Sequence, residues 1–156
     1  MNKIDLIKHL DGENFENFTV ENIFSYEEYD ILEKSHQQWN TKYFIHSNLN
    51  PDFKLRCKKT GVVFWIECKY VQTYVIEEKR EIPVKNKQLE RYKNLKEPVF
   101  YLYGIGIYSQ IITSVFLIPL EKMFKEKIFE SHLLKHRIQI KKIKNFNELL
   151  TLTKGV

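Results

Sequence analysis

The chain has 156 residues, of which 43% are hydrophobic and 14% aromatic, and its formal net charge is +5. This composition, with only five glycines and four prolines, excludes a disordered or low-complexity chain and indicates one globular domain. The two cysteines, Cys57 and Cys68, are too few for a disulfide scaffold or a four-thiolate zinc site. Reduced thiols in a cytoplasmic protein are therefore expected.

Charge is distributed unevenly along the chain. Residues 1–53 carry ten acidic and four basic residues, whereas residues 54–96 carry twelve basic and five acidic residues. A basic segment of this kind is typical of proteins that bind a polyanion, because each phosphate that is neutralised releases counterions. A solvated, lysine-rich surface explains the charge pattern equally well when charge is the only observation.

In the N-terminal half, the hydrophobic pattern predicts two helices, a strand and a polar loop, over residues 3–10, 11–24, 29–35 and 36–50. Asp11 and Gly12 mark the boundary between the two helices. Residues 52–58 then alternate strictly between polar and apolar side chains, and residues 62–70 form a strongly apolar run. Because Thr60-Gly61 is a tight-turn sequence, we expect these two segments to form a β-hairpin.

In the C-terminal half, the pattern predicts a helix, two strands, a helix, a strand and a short helix, over residues 85–95, 99–103, 113–118, 120–128 and 137–143 and from Asn147 onwards. The apolar stretch 99–120 is interrupted by Gly104, Gly106 and Pro119, so we predict two buried strands there and not a membrane-spanning helix. The order of these elements predicts a single-domain α/β fold over residues 1–156, with a central mixed sheet flanked by helices.

The apolar strand ends in two charged residues, Glu67 and Lys69, which share one face because side chains alternate along a strand. Charged groups at the end of a buried strand are costly unless they are paired or bind a ligand. Taken alone, they are explained sufficiently by a partly exposed ion pair. Asp52 changes this interpretation, because a hairpin brings the start of one strand beside the end of the next. Two carboxylates that lie close together favour a hard divalent cation between them, Mg²⁺ or Mn²⁺.

Pro51-Asp52, followed by Glu67-Cys68-Lys69, resembles the PD-(D/E)XK motif of the restriction-endonuclease-like nucleases. The resemblance implies a restriction-endonuclease-like αβββαβ core and the site of a Mg²⁺- or Mn²⁺-dependent endonuclease. It also implies that Asp52, Glu67 and the backbone carbonyl of Cys68 hold the metal ion. Lys69 would then orient the attacking water, help to deprotonate it, or stabilise the developing charge on the phosphate.

The first helix adds to the resemblance. Residues 12–16, Gly-Glu-Asn-Phe-Glu, are similar to the Gly-x-x-Phe-Glu opening of the helix that contributes a glutamate to the metal site in this superfamily. This similarity implies that Glu16 is a further metal ligand, and a carboxylate inside the apolar arc of a helix is otherwise costly. The alternatives to Glu16 are Glu27, Glu28 and Glu33.

The helix after the hairpin carries a second similarity. Residues 88–92, Gln-Leu-Glu-Arg-Tyr, are similar to the Gln-x-x-x-Tyr motif of RecB-like nucleases. Gln88 and Tyr92 are four residues apart and therefore lie on one face of the helix. The similarity implies that both support the catalytic site, although Tyr92 also fits a core position beside Leu89.

The sequence therefore predicts a metal-dependent nuclease that hydrolyses nucleic acid, and DNA in particular. Phosphate contacts are predicted for the basic residues of the hairpin and of the following helix: Lys54, Arg56, Lys58, Lys59, Lys85, Lys87 and Arg91. A homodimer fits this prediction, because small nucleases of this fold often dimerise to cut two strands. The alternative is a non-catalytic nucleic-acid-binding module or subunit that retains the nuclease fold.

Overall fold

The computed structural model describes residues 3–35, 49–72, 76–108, 111–123 and 127–154. Within these ranges a six-stranded mixed sheet is flanked by helices, so the predicted α/β class is confirmed. None of the helices in the described part of the chain combines the length and the apolar character needed to cross a membrane.

The described part of the chain contains four α-helices, six strands and two short 3₁₀ helices. The helices are α1 Lys3–Asn22, α2 Asn86–Lys93, α3 Glu130–Leu133 and α4 Phe146–Lys154. The strands are β1 Tyr29–Lys34, β2 Phe53–Cys57, β3 Val63–Gln72, β4 Val99–Tyr108, β5 Ile111–Pro119 and β6 Arg137–Ile138. The 3₁₀ helices are Leu120–Met123 and Leu134–His136.

The six strands lie in the sheet in their order along the chain, with β1 and β6 at the two edges. Neighbouring strands are antiparallel except for β3 and β4, which are parallel because the segment containing α2 crosses over between them. In the β2–β3 hairpin Phe53 pairs with Ile66, and Asp52 therefore lies opposite Glu67 one residue further on. The parallel register sets Glu67 beside Tyr101.

Two apolar clusters cover the two faces of the sheet. One face packs against α1 and α4, and its buried side chains include Phe15, Ile23, Phe64, Leu102 and Phe146. The other face packs against α2, and its buried side chains include Trp65, Leu89, Tyr92, Tyr101 and Tyr103. Strand alternation sends Glu67 to the same face as Trp65, so its carboxylate lies in the layer between the sheet and α2.

The prediction of two N-terminal helices is wrong, because α1 is a single helix that runs through Asp11 and Gly12. A glycine inside a helix costs only about 1 kcal/mol. Burial of Phe15 and Val20 against the sheet outweighs that cost. A Cβ at Gly12 would meet no neighbouring atom, so the packing at this position does not require glycine.

β4 and β5 are both longer than predicted. In β4, the two glycines do not interrupt the strand. A Cβ at Gly104 would overlap the ring of Phe15, so glycine here allows α1 to pack directly onto the strand. The sequence pattern suggested a break, whereas the structure uses the missing side chain for close packing.

The predicted helix over residues 120–128 is confirmed only as the 3₁₀ helix Leu120–Met123, and residues 124–126 lie outside the described residues. The predicted strand 137–143 is wrong beyond Ile138. The Ile143 amide donates to the carbonyl of Ile23, and the Tyr29 hydroxyl donates to the Ile143 carbonyl. These bonds hold residue 143 against the end of α1 and away from the sheet. Most of the predicted loop 36–50 also lies outside the described residues.

Candidate active site

Glu67 is the centre of a polar cluster at the end of the layer between β3 and α2, and only 5% of its surface is exposed. The Tyr92 hydroxyl donates to Glu67 Oε2 at 2.9 Å. Gln88 Nε2 donates to Oε1 at 3.2 Å, and Lys69 Nζ lies 2.9 Å from the same oxygen. A buried carboxylate is costly without partners, and Glu67 has one cation and two neutral donors. Lys69, Gln88 and Tyr92, which the sequence motifs associate with Glu67, therefore all contact its carboxylate.

The helix α2 delivers Gln88 and Tyr92 because residues four apart share a helix face. Tyr92 is fully buried, and burial together with the charge of Glu67 raises the pKa of its hydroxyl well above the ordinary value. It therefore remains an O–H donor. The amide of Gln88 is oriented by partners at both ends, since the Tyr101 hydroxyl donates to its Oε1 at 3.3 Å. Tyr101 was not predicted as a site residue, and only the β3–β4 register reveals its position beside Glu67.

Asp52 joins the cluster from the hairpin. The backbone amide of Cys68 donates to Asp52 Oδ2 at 2.7 Å, which anchors the carboxyl group next to Glu67. Burial raises the pKa of Asp52 well above its usual range, and the negative charges of Glu67 and Glu16 raise it further. The Cys68 amide opposes this shift. Asp52 therefore lies in an environment that disfavours its negative charge.

Glu16 reaches the same place from α1. Its carboxyl group lies beside that of Asp52, and the two can form a hydrogen bond when one of them is protonated. Burial raises the pKa of Glu16, the hydrogen bond with Asp52 lowers it, and the charge of Glu67 raises it. The structure thus brings together Glu16, Asp52 and Glu67 from three different elements. Their predicted role as metal ligands stays a prediction.

The side chain of Cys68 points away from Glu67 and towards α1, where its Sγ lies 3.5 Å from Thr19 Oγ1. Burial raises the pKa of the thiol well above its ordinary value, and the nearby charge of Asp52 adds to the shift. The thiol is therefore neutral and is neither an activated nucleophile nor a thiolate ligand. Both cysteines are free thiols.

The carboxylate oxygens of the cluster match a hard divalent cation, because such oxygens are the ligands that Mg²⁺ and Mn²⁺ prefer. Burial, and then the negative charge of Glu67, raise the pKa values of Asp52 and Glu16, and a bound divalent ion would favour their charged forms. Within the described ranges, no three side chains of the ligating types already form a metal-binding group. The carboxylate oxygens of Glu67 instead face the donors of Lys69, Gln88 and Tyr92.

Three of the predicted phosphate-binding residues on the hairpin are engaged in ion pairs within the protein. Lys54 lies over the Trp65 ring between Glu33 and Glu97, with Nζ 3.6 and 3.5 Å from their carboxylate oxygens. Arg56 and Lys58 both approach Asp30, at 3.1 and 3.9 Å.

The remaining predicted cations, Lys59, Lys85, Lys87 and Arg91, are exposed. Three of them belong to α2 or to its N-terminal cap, close in the chain to Gln88. Of the alternatives to Glu16, Glu27 pairs with Lys142 at 3.8 Å and Glu33 pairs with Lys54.

Comparison of the sequence with protein-family models and with curated proteins finds no significant match. The geometry of the carboxylate cluster and the motifs that it contains are therefore the observations that bear on function.

Proposed function

We propose that this protein is a metal-dependent nuclease of the PD-(D/E)XK type that hydrolyses phosphodiester bonds in DNA. The observation that carries the proposal is the convergence of Asp52, Glu67 and Lys69 on one buried cluster, with Gln88 and Tyr92 bonded to Glu67. The order of α1, β1, β2, β3, α2 and β4 supports it, because the restriction-endonuclease-like core has the same αβββαβ sequence of elements.

In the proposed mechanism Asp52 and Glu67 hold Mg²⁺ or Mn²⁺, assisted by Glu16 and the backbone carbonyl of Cys68. When bound, such an ion polarises a phosphate and lowers the pKa of a coordinated water. Lys69 lies within 2.9 Å of Glu67 and can orient the attacking water or stabilise the charge that develops on the phosphate.

Gln88 and Tyr92 act as positioning residues in this proposal, because they hold the Glu67 carboxylate in one orientation. The exposed cations of α2 and its cap, Lys85, Lys87 and Arg91, would meet the phosphates on either side of the cut.

A second candidate is a nucleic-acid-binding module that keeps the fold but does not cleave. One observation favours it: the charge of Glu67 is already compensated by Lys69, with hydrogen bonds from Gln88 and Tyr92. In such a module the cluster would stabilise the fold and would not need a metal ion.

Cleavage assays distinguish the two candidates. Purified protein is incubated with plasmid, single-stranded DNA or RNA in Mg²⁺, Mn²⁺ or EDTA, and DNA affinity is measured in parallel. We expect cleavage of DNA that depends on the metal ion. Lys69→Ala should slow cleavage by about a hundredfold or more with nearly unchanged DNA affinity. Lys144→Ala, at an exposed lysine before α4, is the matched control and should cleave normally. Tight DNA binding without cleavage or metal binding in the wild type would establish the binding module instead.

A further inference from the structure

A cavity of about 220 Å³ lies beside the carboxylate cluster. Lys69 and Gln88 line this cavity and also contact Glu67, so the cavity and the cluster are continuous. Sites for drug-sized ligands have volumes of about 300–1,000 Å³, so this smaller space suits a single planar group. Most of its other lining side chains are aromatic or aliphatic, including Tyr101, Tyr103, Val84 and Met123.

Tyr103 adds a second tyrosine to the wall of the cavity, beside Tyr101. Only 2% of the surface of each residue is exposed. The Tyr101 hydroxyl donates to Gln88. The two rings lie nearly parallel, with 21° between their planes and 6.3 Å between their centroids. A small cavity with two tyrosines in its wall suits a planar ligand that also forms hydrogen bonds.

We propose that this cavity is the subsite for one unpaired nucleobase of a DNA strand whose adjacent phosphate lies at the carboxylate cluster. The inference rests on the proposed function, because that function defines where the phosphate lies. A base would contact the aromatic and aliphatic walls and form a hydrogen bond with the Tyr103 hydroxyl. The exposed Lys85 also lines the cavity and would pair with the backbone of the same DNA strand.

This subsite determines the class of substrate. A base inside a duplex is stacked and paired, and it must leave the stack before it can enter a pocket. Single-stranded DNA and unpaired ends avoid that cost. The preferred substrate is therefore a single-stranded segment, and an intact blunt duplex should bind more weakly.

Equilibrium binding tests the subsite separately from catalysis. Fluorescence anisotropy, with Ca²⁺ in place of Mg²⁺, gives the Kd of a single-stranded oligonucleotide and of the same oligonucleotide in a blunt duplex. A set of single strands, each with one abasic position, is measured in the same way. We expect the single strand to bind about tenfold or more tightly than the duplex. One abasic position should remove most of that advantage, whereas the others should change the Kd little.

Two substitutions probe the cavity itself. Tyr103→Phe removes only the hydroxyl group and should weaken single-strand binding severalfold. Tyr26→Phe, at an exposed tyrosine, is the matched control and should have no effect. Val84→Trp should fill the cavity and reduce single-strand affinity to the level of the duplex. If Val84→Trp does not fold, Tyr103→Phe and the abasic series decide.

Equal affinity of the wild type for single strand and duplex would overturn the subsite, as would a folded Val84→Trp variant with unchanged affinity. Cleavage by the same preparations in Mg²⁺ is scored independently. A protein that prefers single strands but never cleaves retains the base subsite and loses the proposed catalytic function. A protein that cleaves both forms equally retains the function and loses the subsite.

Discussion

Asp52→Asn is the most informative substitution, because it removes a negative charge while keeping the shape of the side chain. An asparagine oxygen can still accept the hydrogen bond from the Cys68 amide, which is 2.7 Å long in the wild type. Its amide can donate to Glu16, whose carboxyl group lies beside that of Asp52 in the wild type. The cost of burying a charge at residue 52 is lost, and so is its repulsion by the negative charges of Glu67 and Glu16. We therefore expect the metal-free variant to be more stable than the wild type at pH 8 and unable to bind Mn²⁺.

The size of the effect follows from two opposing contributions. Two like charges about 4–8 Å apart repel by about 2–4 kcal/mol at an effective dielectric constant of about 20. A hydrogen bond to a neutral acceptor is weaker than one to a charged acceptor by about 1–2 kcal/mol. The net gain in the free energy of unfolding is about 1–2 kcal/mol, which raises the Tm of a chain of this length by about 2–8 °C.

The gain should depend on pH in a defined direction. The pKa of Asp52 is raised in the folded protein, so the unfolded chain loses this proton first as the pH rises. The stability that protonated Asp52 contributes to the wild type is therefore fully present below the unfolded pKa and is lost as the pH rises through the folded pKa. Asparagine does not titrate, so the advantage of the variant should be small at pH 4 and larger at pH 8.

Thermal unfolding followed by circular dichroism in EDTA, at pH 4 and pH 8, measures this difference. Asp30→Asn is the matched control, because Asp30 is partly exposed and pairs with Arg56 and Lys58. It should leave stability unchanged or slightly lower. A variant at residue 52 that is no more stable than the wild type at pH 8 would refute the argument that uncompensated negative charge gathers at the cluster.

Three further predictions concern metal binding, DNA binding and the core of the site. Calorimetric titration with Mn²⁺ near pH 6, in buffers of different ionisation enthalpy, should detect proton release, because a metal ion favours the charged forms of two carboxyl groups whose pKa is raised. Equal heats in all buffers would count against this. The double substitution of Lys85 and Lys87 to Ala should weaken DNA binding and reduce the slope of log Kd against log salt by about 2. Arg56→Ala, at a residue already paired within the protein, should change this slope less. Tyr92→Phe should lower the free energy of unfolding by about 1–3 kcal/mol in urea titrations, because Glu67 Oε2 loses its donor; an unchanged midpoint would show that this bond contributes nothing.

Local backbone geometry made the residues around Glu67 predictable. Side chains alternate along a strand, which places Lys69 on the face of Glu67, and residues four apart share a helix face, which pairs Gln88 with Tyr92. Each relation lies within one element and needs no knowledge of the fold. The structure has all three side chains in contact with Glu67.

The bounds of several elements depended on packing that no local pattern contains. Gly104 suggested the end of a strand, yet β4 continues because the ring of Phe15, from the far end of the chain, fills the space above the glycine. Gly12 suggested a helix boundary, yet burial against the sheet holds α1 together. In both cases a long-range contact outweighed a local preference of about 1 kcal/mol.

The sequence by itself determined which residue types could form the site, namely the acids Glu16, Asp52 and Glu67 and the lysine at position 69. Only the tertiary structure decided how their charges are compensated. The β1–β2 register gives Arg56 an acidic partner, and the packing of α1 against β3 brings Glu16 to Asp52. The pKa of a carboxyl group depends on burial and on charges a few ångströms away, and those neighbours come from elements that are distant in the chain.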